Sequence, residues 1–300
     1  MPRSMWEATM RGLVGLILSL TFPVFLIAPD ATAQTLSGQV TSAEEGPMEG
    51  VLVSAKRAGS TITVTVATDA QGRYSFPAGK LAPGEHTLRI RAIGYDLDGP
   101  ARVTVDAKTT ADLKLRKTED LAAQLSNAEW IASVPGTEQQ KQGLLNCLGC
   151  HTLERVMRSP HTTDDFMAVL PRMQGYVNQS IPAAPQLRRG ERRMEERGDQ
   201  RVQVYRGLAE YLSQINQSKG AWSYRLQTLP RPTGKGTRAV ITEYDLPREV
   251  IQPHDVIVDA DGIAWYSSFG EQFLGRLDPK TGKVTEFPIE LSKQIGRAHV

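Results

Sequence analysis

The stretch TDAQGRYSFPAGKLAPGEHTLRIRAIGY, residues 68–95, carries the strongest fold signal in the chain. Apolar and polar residues alternate along RYSFP and HTLRIRAIGY, as in a strand that buries one face. A turn at Asp69–Gly72 needs a residue that tolerates positive φ, and Gly72 supplies it. Tyr74 and Phe76 fall on the same face of their strand, so both are predicted to lie in a core.

The same strand pattern extends outwards from this stretch over residues 36–115. GVLVSAKR, TITVTVATD and ARVTVDA also alternate, and Gly, Pro and Asp turns separate them. The pattern predicts a small antiparallel β-sandwich, with a transthyretin-like or Ig-like fold, at residues 34–117.

Residues 68–95 resemble the carboxypeptidase regulatory-like family. What the resemblance implies is a binding or spacer module with a carbohydrate-binding-like fold and no catalytic residues, which could take a glycan or a small molecule. The matching features are Asp69, Gly72, Tyr74, Phe76, the Pro83–Gly84 turn and the Gly94–Tyr95 ending.

The N-terminus has the three-part layout of a secretory signal peptide at residues 1–33. A basic start precedes an apolar run at 12–28, and Ala-Thr-Ala at 31–33 offers small residues for cleavage. A retained anchor helix is the alternative, although Pro23 interrupts the run. Either way the remainder is predicted to be periplasmic or extracellular, with membrane attachment only if the signal segment is retained.

Both cysteines of the chain lie in NCLGCHTLERV, residues 146–156. Cys147, Cys150 and His151 fit C-x-x-C-H, the attachment motif for c-type haem. Cysteines three apart on a helix share a face, so both thiols can reach one edge of a porphyrin. His151 can then be the proximal iron ligand. The sequence predicts one covalently attached haem c per chain.

Two other roles of the motif stay open. A disulfide or thioredoxin-like pair would require a preceding strand and a βαβ context, but helical patterns flank the motif. A zinc site would need a second pair of ligands, and the histidines His86, His161 and His254 are scattered over three segments.

Residues 118–220 have the apolar spacing of helices, notably in EDLAAQLSNAEWIASV and RVQVYRGLAEYLSQIN. This segment resembles the cytochrome c superfamily, which implies an all-α domain. In it, a C-terminal helix at 202–215 would pack against an N-terminal helix. Trp130, Tyr205 and Tyr211 are expected in the core of the haem pocket.

The sixth iron ligand is predicted in TTDDFMAVLPRMQGYV, residues 162–177. Thr162 or Thr163 can cap a helix here, and the apolar stripe of that helix would face the haem. LPRMQGY resembles a segment that follows the motif in related cytochromes, which favours Met173 as the distal ligand. An open sixth position remains possible, and the other candidate ligands are Met167, Met194 and His161.

A Pro/Gly-rich segment indicates a linker at residues 221–238, after which strand patterns return at 239–294. ITEYDLP is echoed by VTEFPIE, and a unit repeating at about 40–45 residues is typical of a propeller blade. DADGIAWYSSF and LGRLDPKTGKVTEF resemble the repeat of the streptogramin (virginiamycin B) lyase family. The resemblance implies the first blade or blades of an incomplete β-propeller, with Trp265 and Phe269 in its core and a structural role for His254.

The last six residues, IGRAHV at 295–300, resemble the translated read-through of a sequencing adapter. We therefore expect them to be artefactual and the chain to be a C-terminally truncated fragment. A longer gene that continues the repeat would confirm this expectation.

The predicted function is an exported c-type cytochrome that passes electrons through one haem to a periplasmic redox partner. One alternative is a streptogramin-lyase-like enzyme whose active-site blades are missing, and another is a carbohydrate-binding or surface-binding protein. The net charge of +2 indicates neither a nucleic-acid partner nor a membrane surface.

Overall fold

The structure is a computed structural model that describes residues 35–177, 180–183, 185–187, 198–217, 221–268 and 271–290. The expected signal peptide at 1–33, Met194, Phe269 and the expected artefact at 295–300 lie outside the described residues. No helix in the described part of the chain combines the length and the apolar character that a bilayer span requires.

The N-terminal part is a β-sandwich of two sheets. The strands of the first sheet are β1 Leu36–Ser42, β2 Gly46–Pro47, β5 Arg73–Ser75, β7 Tyr95–Gly99, β9 Thr109–Thr110 and β10 Leu113–Lys117. Those of the second are β3 Leu52–Arg57, β4 Ile62–Ala67, β6 Gly84–Arg91, β8 Arg102–Val105 and β11 Val240–Tyr244. The order of the strands in the first sheet is β2-β1-β10-β7, and β5 and β9 also pair with β1. The order in the second sheet is β11-β4-β3-β6-β8.

The two sheets bury their alternating apolar side chains against each other, which confirms the predicted sandwich. Leu36 and Leu113 from the first sheet and Val53 and Leu88 from the second all lie in one buried core. The pairing is antiparallel except that β1 pairs in parallel with β9 and β10, which differs from the antiparallel prediction. The reason is that the chain leaves β8 of the second sheet and enters the first sheet as β9 beside the start of β1, with Thr109 opposite Leu36. From there β9 and β10 run in the same direction as β1.

The turn before β5 forms as predicted. The φ of Gly72 is +70°, and a Cβ added there would lie 2.6 Å from the carbonyl oxygen of Val40. The Asp69 carboxylate accepts the backbone N–H of Gln71 at 2.9 Å and that of Arg73 at 2.8 Å. Tyr74 and Phe76 follow, and both are core residues of the sandwich.

Helices occupy most of the described part of residues 118–220. They are α1 Asn127–Ser133, α2 Glu138–Leu145, α3 Glu154–Met157, α4 Thr163–Gln174 and α5 Gly198–Ile215, with a short 3-10 turn at Ala122–Gln124. Ser126, Thr137 and Thr162 cap α1, α2 and α4, each through a capping box. The prediction of a cap at Thr162 or Thr163 is therefore confirmed at Thr162.

The C-terminal helix α5 packs mainly along α4 and also contacts α2 and α3. The run predicted as one N-terminal helix is instead the 3-10 turn followed by α1, because Ser126 caps a new helix there. A separate helix, α2, leads directly into the C-x-x-C-H motif. The helices share one buried core that includes Trp130, Leu144 and Leu212.

Residues 221–238, predicted as a linker, are fastened to both neighbouring parts of the chain. The backbone N–H of Gln227 donates to Ser133 Oγ at 2.7 Å on α1. Further along, Arg231 Nε donates to the carbonyl oxygen of Glu49 at 2.8 Å on the sandwich. We call residues 221–238 the strap.

The C-terminal described residues form a four-stranded antiparallel sheet, whose strands in spatial order are β12 Pro253–Val258, β13 Ala264–Ser268, β14 Phe273–Asp278 and β15 Lys283–Pro288. Its hairpin turns contain Gly262 and Gly282, whose φ values are +79° and +70°. The strand β11, whose sequence ITEY echoes VTEF of β15, lies on the edge of β4 in the sandwich rather than in this sheet.

Candidate functional site

The two cysteines lie in consecutive turns between α2 and α3, just beyond the last residue of α2. The backbone N–H of Cys147 donates to the carbonyl oxygen of Leu144 at 2.9 Å, which continues the direction of the helix for one turn. Cys150 Sγ lies 3.8 Å from the carbonyl oxygen of Val177, just beyond α4. Both thiols are free and half-buried, so no disulfide joins them.

The two thiols are in different surroundings. Cys147 packs against the helical core, and this burial raises the pKa of its thiol to about 11. The thiol is therefore protonated at neutral pH, unlike the low-pKa thiolates of disulfide oxidoreductases. This environment disfavours the alternative of a thioredoxin-like redox pair.

His151 is held by its own loop. Its Nδ1 lies 2.9 Å from the carbonyl oxygen of Thr152, a distance at which the Nδ1–H tautomer donates a hydrogen bond. In that tautomer the lone pair of Nε2 is available to a metal ion. Within the described residues, no cluster of three or more His, Cys, Asp or Glu side chains forms an all-protein metal site.

The candidate distal ligands lie on and around α4. Phe166 is buried in the helical core, and Met167 and Leu170 pack against it. Met173, at the end of the same stripe, has an exposed fraction of 36%. Its carbonyl oxygen accepts the N–H of Tyr176 at 3.1 Å, one residue before Val177, whose carbonyl contacts Cys150. The structure therefore brings the Met173 end of α4 next to the motif.

The other candidates are less well placed. Met157, which lies only six residues after His151, is fully buried within the core. The ring of His161 makes an edge contact with Phe166, with the ring centroids 5.3 Å apart. Met194 lies outside the described residues.

An exposed apolar surface borders the motif. Leu145, two residues before Cys147, is 52% exposed, and Val177 is 36% exposed. Tyr176 forms a β-bridge with Leu187, which is 73% exposed. Together with Met173, these side chains form what we call the motif surface: Leu145, Met173, Val177 and Leu187.

The aromatic residues of this region differ in burial. Trp130 is completely buried, and its Nε1–H is the one buried side-chain N or O within the described residues that lacks a hydrogen-bond partner. Tyr211 is buried and donates its hydroxyl to the carbonyl oxygen of Pro135 at 2.9 Å. Tyr205 is only half-buried, and its hydroxyl accepts from Arg201 at 2.8 Å.

In the four-stranded sheet His254 is exposed, and Trp265, predicted to lie in the core, is half-buried. The ring of His254 lies beside its neighbour Asp255, with Nδ1 2.8 Å from a carboxylate oxygen. Trp265 stacks on Phe287 and donates to Asp259 at 2.8 Å. The contacts of Trp265 with Asp259 and Phe287 are both within the sheet.

Sequence reasoning missed the polar contacts that join the segments. Glu129 is 2% exposed and receives backbone N–H groups from both Ser126 and Leu229. The spacing Ser-x-x-Glu at residues 126–129 is a capping-box signal that could have identified this carboxylate. Arg231, in the Pro/Gly-rich strap, carried no such signal.

Residues 35–116 match the family model of the carboxypeptidase regulatory-like domain. No curated protein matches the chain. Among solved structures, the chain is similar to a group B streptococcus pilus 2b backbone protein, with 13% identity, 30% of this chain and 43% of that chain covered, and a TM-score of 0.25. It is also similar to the Bacillus anthracis TIE protein, with 16% identity, 29% and 17% covered, and a TM-score of 0.24. The chain thus spans less than half the length of either protein.

Proposed function

We propose that the protein is an exported c-type cytochrome that transfers electrons through one haem attached at Cys147 and Cys150. The observation that carries the proposal is the C-x-x-C-H motif with two free thiols and a histidine whose Nε2 is left available by the Nδ1 contact to Thr152. The signal peptide predicted at residues 1–33 supports it, because c-type cytochromes are matured outside the cytoplasm.

The residues present fit a haem in three respects. The cysteines are separated by two residues within turns that continue α2, so both thiols can face one edge of a macrocycle. The contact of His151 with Thr152 favours the imidazole tautomer that a metal ligand requires. The motif surface supplies apolar side chains that a porphyrin face would cover, which accounts for their exposure beside the motif.

Each residue would have a defined task. Cys147 and Cys150 would fix the edge of the group, and His151 would ligate the iron through Nε2. Met173, at the α4 end next to the motif, would be the candidate second ligand of the iron through its thioether. Haem, when bound, supplies the reversible one-electron couple of its iron. The apolar motif surface would keep water away from that iron, and a periplasmic protein would be the redox partner.

The alternatives have narrower support. The four-stranded sheet of β12–β15 has the strand arrangement of one propeller blade, so it supports a lyase-like propeller only to that extent. The sandwich supports a glycan-binding role, because its family includes binding modules, but it identifies no ligand. For the lyase, metal-dependent loss of a streptogramin substrate is the test. For glycan binding, the test is a glycan pull-down compared between the intact chain and a chain with the Asp69 turn altered.

The primary test is covalent haem attachment in a host that matures c-type cytochromes. We expect a haem-stained band on a denaturing gel and a reduced-minus-oxidised visible spectrum of a c-type haem. The double variant Cys147→Ala/Cys150→Ala should lose the stain, and His151→Ala should keep covalent haem with an altered spectrum. Asn146→Ala, at the exposed neighbouring position, is the matched control and should stain normally. A folded, exported protein without haem would overturn the proposal.

A further inference from the structure

A second cleft lies away from the C-x-x-C-H motif, where the sandwich meets the strap. It has a volume of about 560 Å³, which is within the range of small-molecule sites. The sandwich contributes Tyr95 and Lys117 to its wall, and the strap contributes Trp222, Tyr224 and Arg225. Neither the predicted haem site nor the four-stranded sheet includes any of these residues.

The aromatic side chains that line the cleft are held in place by contacts with the helical core. The ring centroids of Trp222 and Tyr224 are 5.9 Å apart, and Trp222 also packs on the buried ring of Trp130 at 5.2 Å. The hydroxyl of Tyr224 donates to the carbonyl oxygen of Ile215, at the end of α5. A ligand would therefore meet preorganised ring surfaces, which lowers the ordering cost of binding.

The neutral polar groups of the cleft are largely occupied. Tyr95 donates its hydroxyl to Glu45 at 2.7 Å. The N–H of Gly94 donates to Gln124 Oε1 at 2.8 Å, and its carbonyl oxygen accepts the N–H of Thr118 at 2.9 Å. A sugar needs several free hydrogen-bonding groups, so this arrangement disfavours a glycan.

The charged groups of the cleft are both cationic. Lys117 Nζ lies over the ring of Tyr95, 4.8 Å from its centroid, and Arg225 is exposed on the strap. Over the part of the chain that the structure describes, neither cation forms an ion pair. The nearby Glu45 is already paired with Arg231. The cleft thus combines aromatic walls with two cations that belong to none of the ion pairs of the described residues, of which Lys117 also interacts electrostatically with Glu45.

We propose that this cleft binds a planar aromatic anion, such as an aromatic carboxylate or sulfonate. The ring system would stack on Trp222 and contact Tyr224, whose ring plane is inclined by 54° to that of Trp222, and the anionic group would lie between Lys117 and Arg225. The site is independent of the proposed haem, because it shares no residue with the motif, so its failure would leave the proposed function unaffected.

Isothermal titration calorimetry of the purified protein tests this proposal, with 2-naphthalenesulfonate as the probe and 2-naphthalenemethanol as its neutral counterpart. We expect the sulfonate to bind about tenfold more tightly than the alcohol. Lys117→Gln and Arg225→Gln should each weaken sulfonate binding about three- to tenfold and leave the weak binding of the alcohol unchanged.

Arg206→Gln, an exposed arginine on α5 outside the cleft lining, is the matched control and should bind the sulfonate normally. Trp222→Ala should weaken the binding of both probes, with thermal unfolding followed by circular dichroism to verify its fold. Three results would each overturn the proposal: equal affinity for both probes, equal loss in the Arg206→Gln control, or no binding of the sulfonate at millimolar concentration.

Discussion

The backbone N–H of Leu229 donates a hydrogen bond to Oε1 of Glu129 at 2.9 Å, although the two residues are 100 positions apart in the chain. The other carboxylate oxygen accepts the N–H of Ser126 at 2.8 Å. Glu129 therefore caps α1 and fastens the strap with one side chain. Burial by itself would raise the pKa of Glu129, but the hydrogen bonds from Ser126 and Leu229 outweigh it and lower the pKa below its usual value.

The first prediction concerns the pH dependence of stability at Glu129. Because the folded-state pKa is lowered, the ionised carboxylate stabilises the fold fully above the unfolded pKa of about 4.5, and this stabilisation is lost as the pH falls through the folded value. Glu129→Gln should lower the free energy of unfolding by about 1–3 kcal/mol near neutral pH. The difference from wild type should shrink at about pH 3, as measured by urea denaturation.

Glu119→Gln, at an exposed position, is the matched control for this experiment. It should change the free energy of unfolding by less than about 0.5 kcal/mol at either pH. If the free energies of unfolding of the wild type and the Glu129→Gln variant differed by a constant amount across the acid range, that result would contradict the assigned role of the carboxylate.

The second prediction concerns the attachment of the strap to the sandwich. Arg231→Ala removes the hydrogen bond to the carbonyl oxygen of Glu49 and the ion pair with Glu45. We expect limited proteolysis within the strap to become several times faster, because local opening no longer has to break these contacts. Arg238→Ala, in the same segment but without an ion pair among the described residues, should be cleaved at the wild-type rate. Equal rates for the two variants would show that Arg231 does not hold the strap.

The third prediction compares two glycine turns of the four-stranded sheet. Both Gly262 and Gly282 have positive φ, so alanine should cost about 1 kcal/mol at either position from backbone strain alone. A Cβ at Gly282 would also lie 2.6 Å from Thr61 Oγ1, whereas a Cβ at Gly262 meets nothing within 4 Å.

Gly282→Ala should therefore destabilise the protein by at least about 1 kcal/mol more than Gly262→Ala in equilibrium unfolding. The added loss has a specific source, because the hydrogen bond from Thr61 Oγ1 to the carbonyl oxygen of Gly282, at 3.0 Å, would be disturbed. Equal costs for the two substitutions would mean that this contact with the sandwich contributes nothing.

The fourth prediction concerns the distal ligand in the haem-loaded protein. Met173→Ala should abolish the methionine–iron band of the oxidised visible spectrum and lower the reduction potential. Met157→Ala should instead lower the free energy of unfolding by about 2–5 kcal/mol and keep the band, because Met157 is fully buried in the core. If Met167→Ala lost the band and Met173→Ala kept it, Met167 rather than Met173 would be the distal ligand.

Local signals in the sequence predicted local structure well. Gly72 adopts the positive φ that its turn requires, and Thr162 caps α4 with Asp165 in a capping box. Tyr74 and Phe76 share the buried face that their spacing of two indicated. In each case the determining contacts lie within a few residues, so the pattern is visible without the fold.

Contacts between distant segments could not be predicted in this way. The strand β11 has the same pattern whether it belongs to a blade or to the free edge of β4, since an edge accepts any compatible strand. The strap was predicted as a linker from its Pro and Gly content, yet Glu129 and Arg231 fasten it through single polar side chains. The motif surface and the approach of Val177 to Cys150 likewise depend on how α2 and α4 each pack against α5.

The pairing of Val66 on β4 with Val240 on β11 has a consequence for the order in which a newly synthesised chain folds. All the helices of the described segment lie between these two strands in sequence, so the sheet stays open at β4 until they have been synthesised. Forming such a long loop is entropically costly, and compaction of the intervening helices would shorten the span to be closed. Mutations that slow that compaction should prolong the lifetime of an unpaired edge and increase aggregation of nascent protein, even where the mature product is stable.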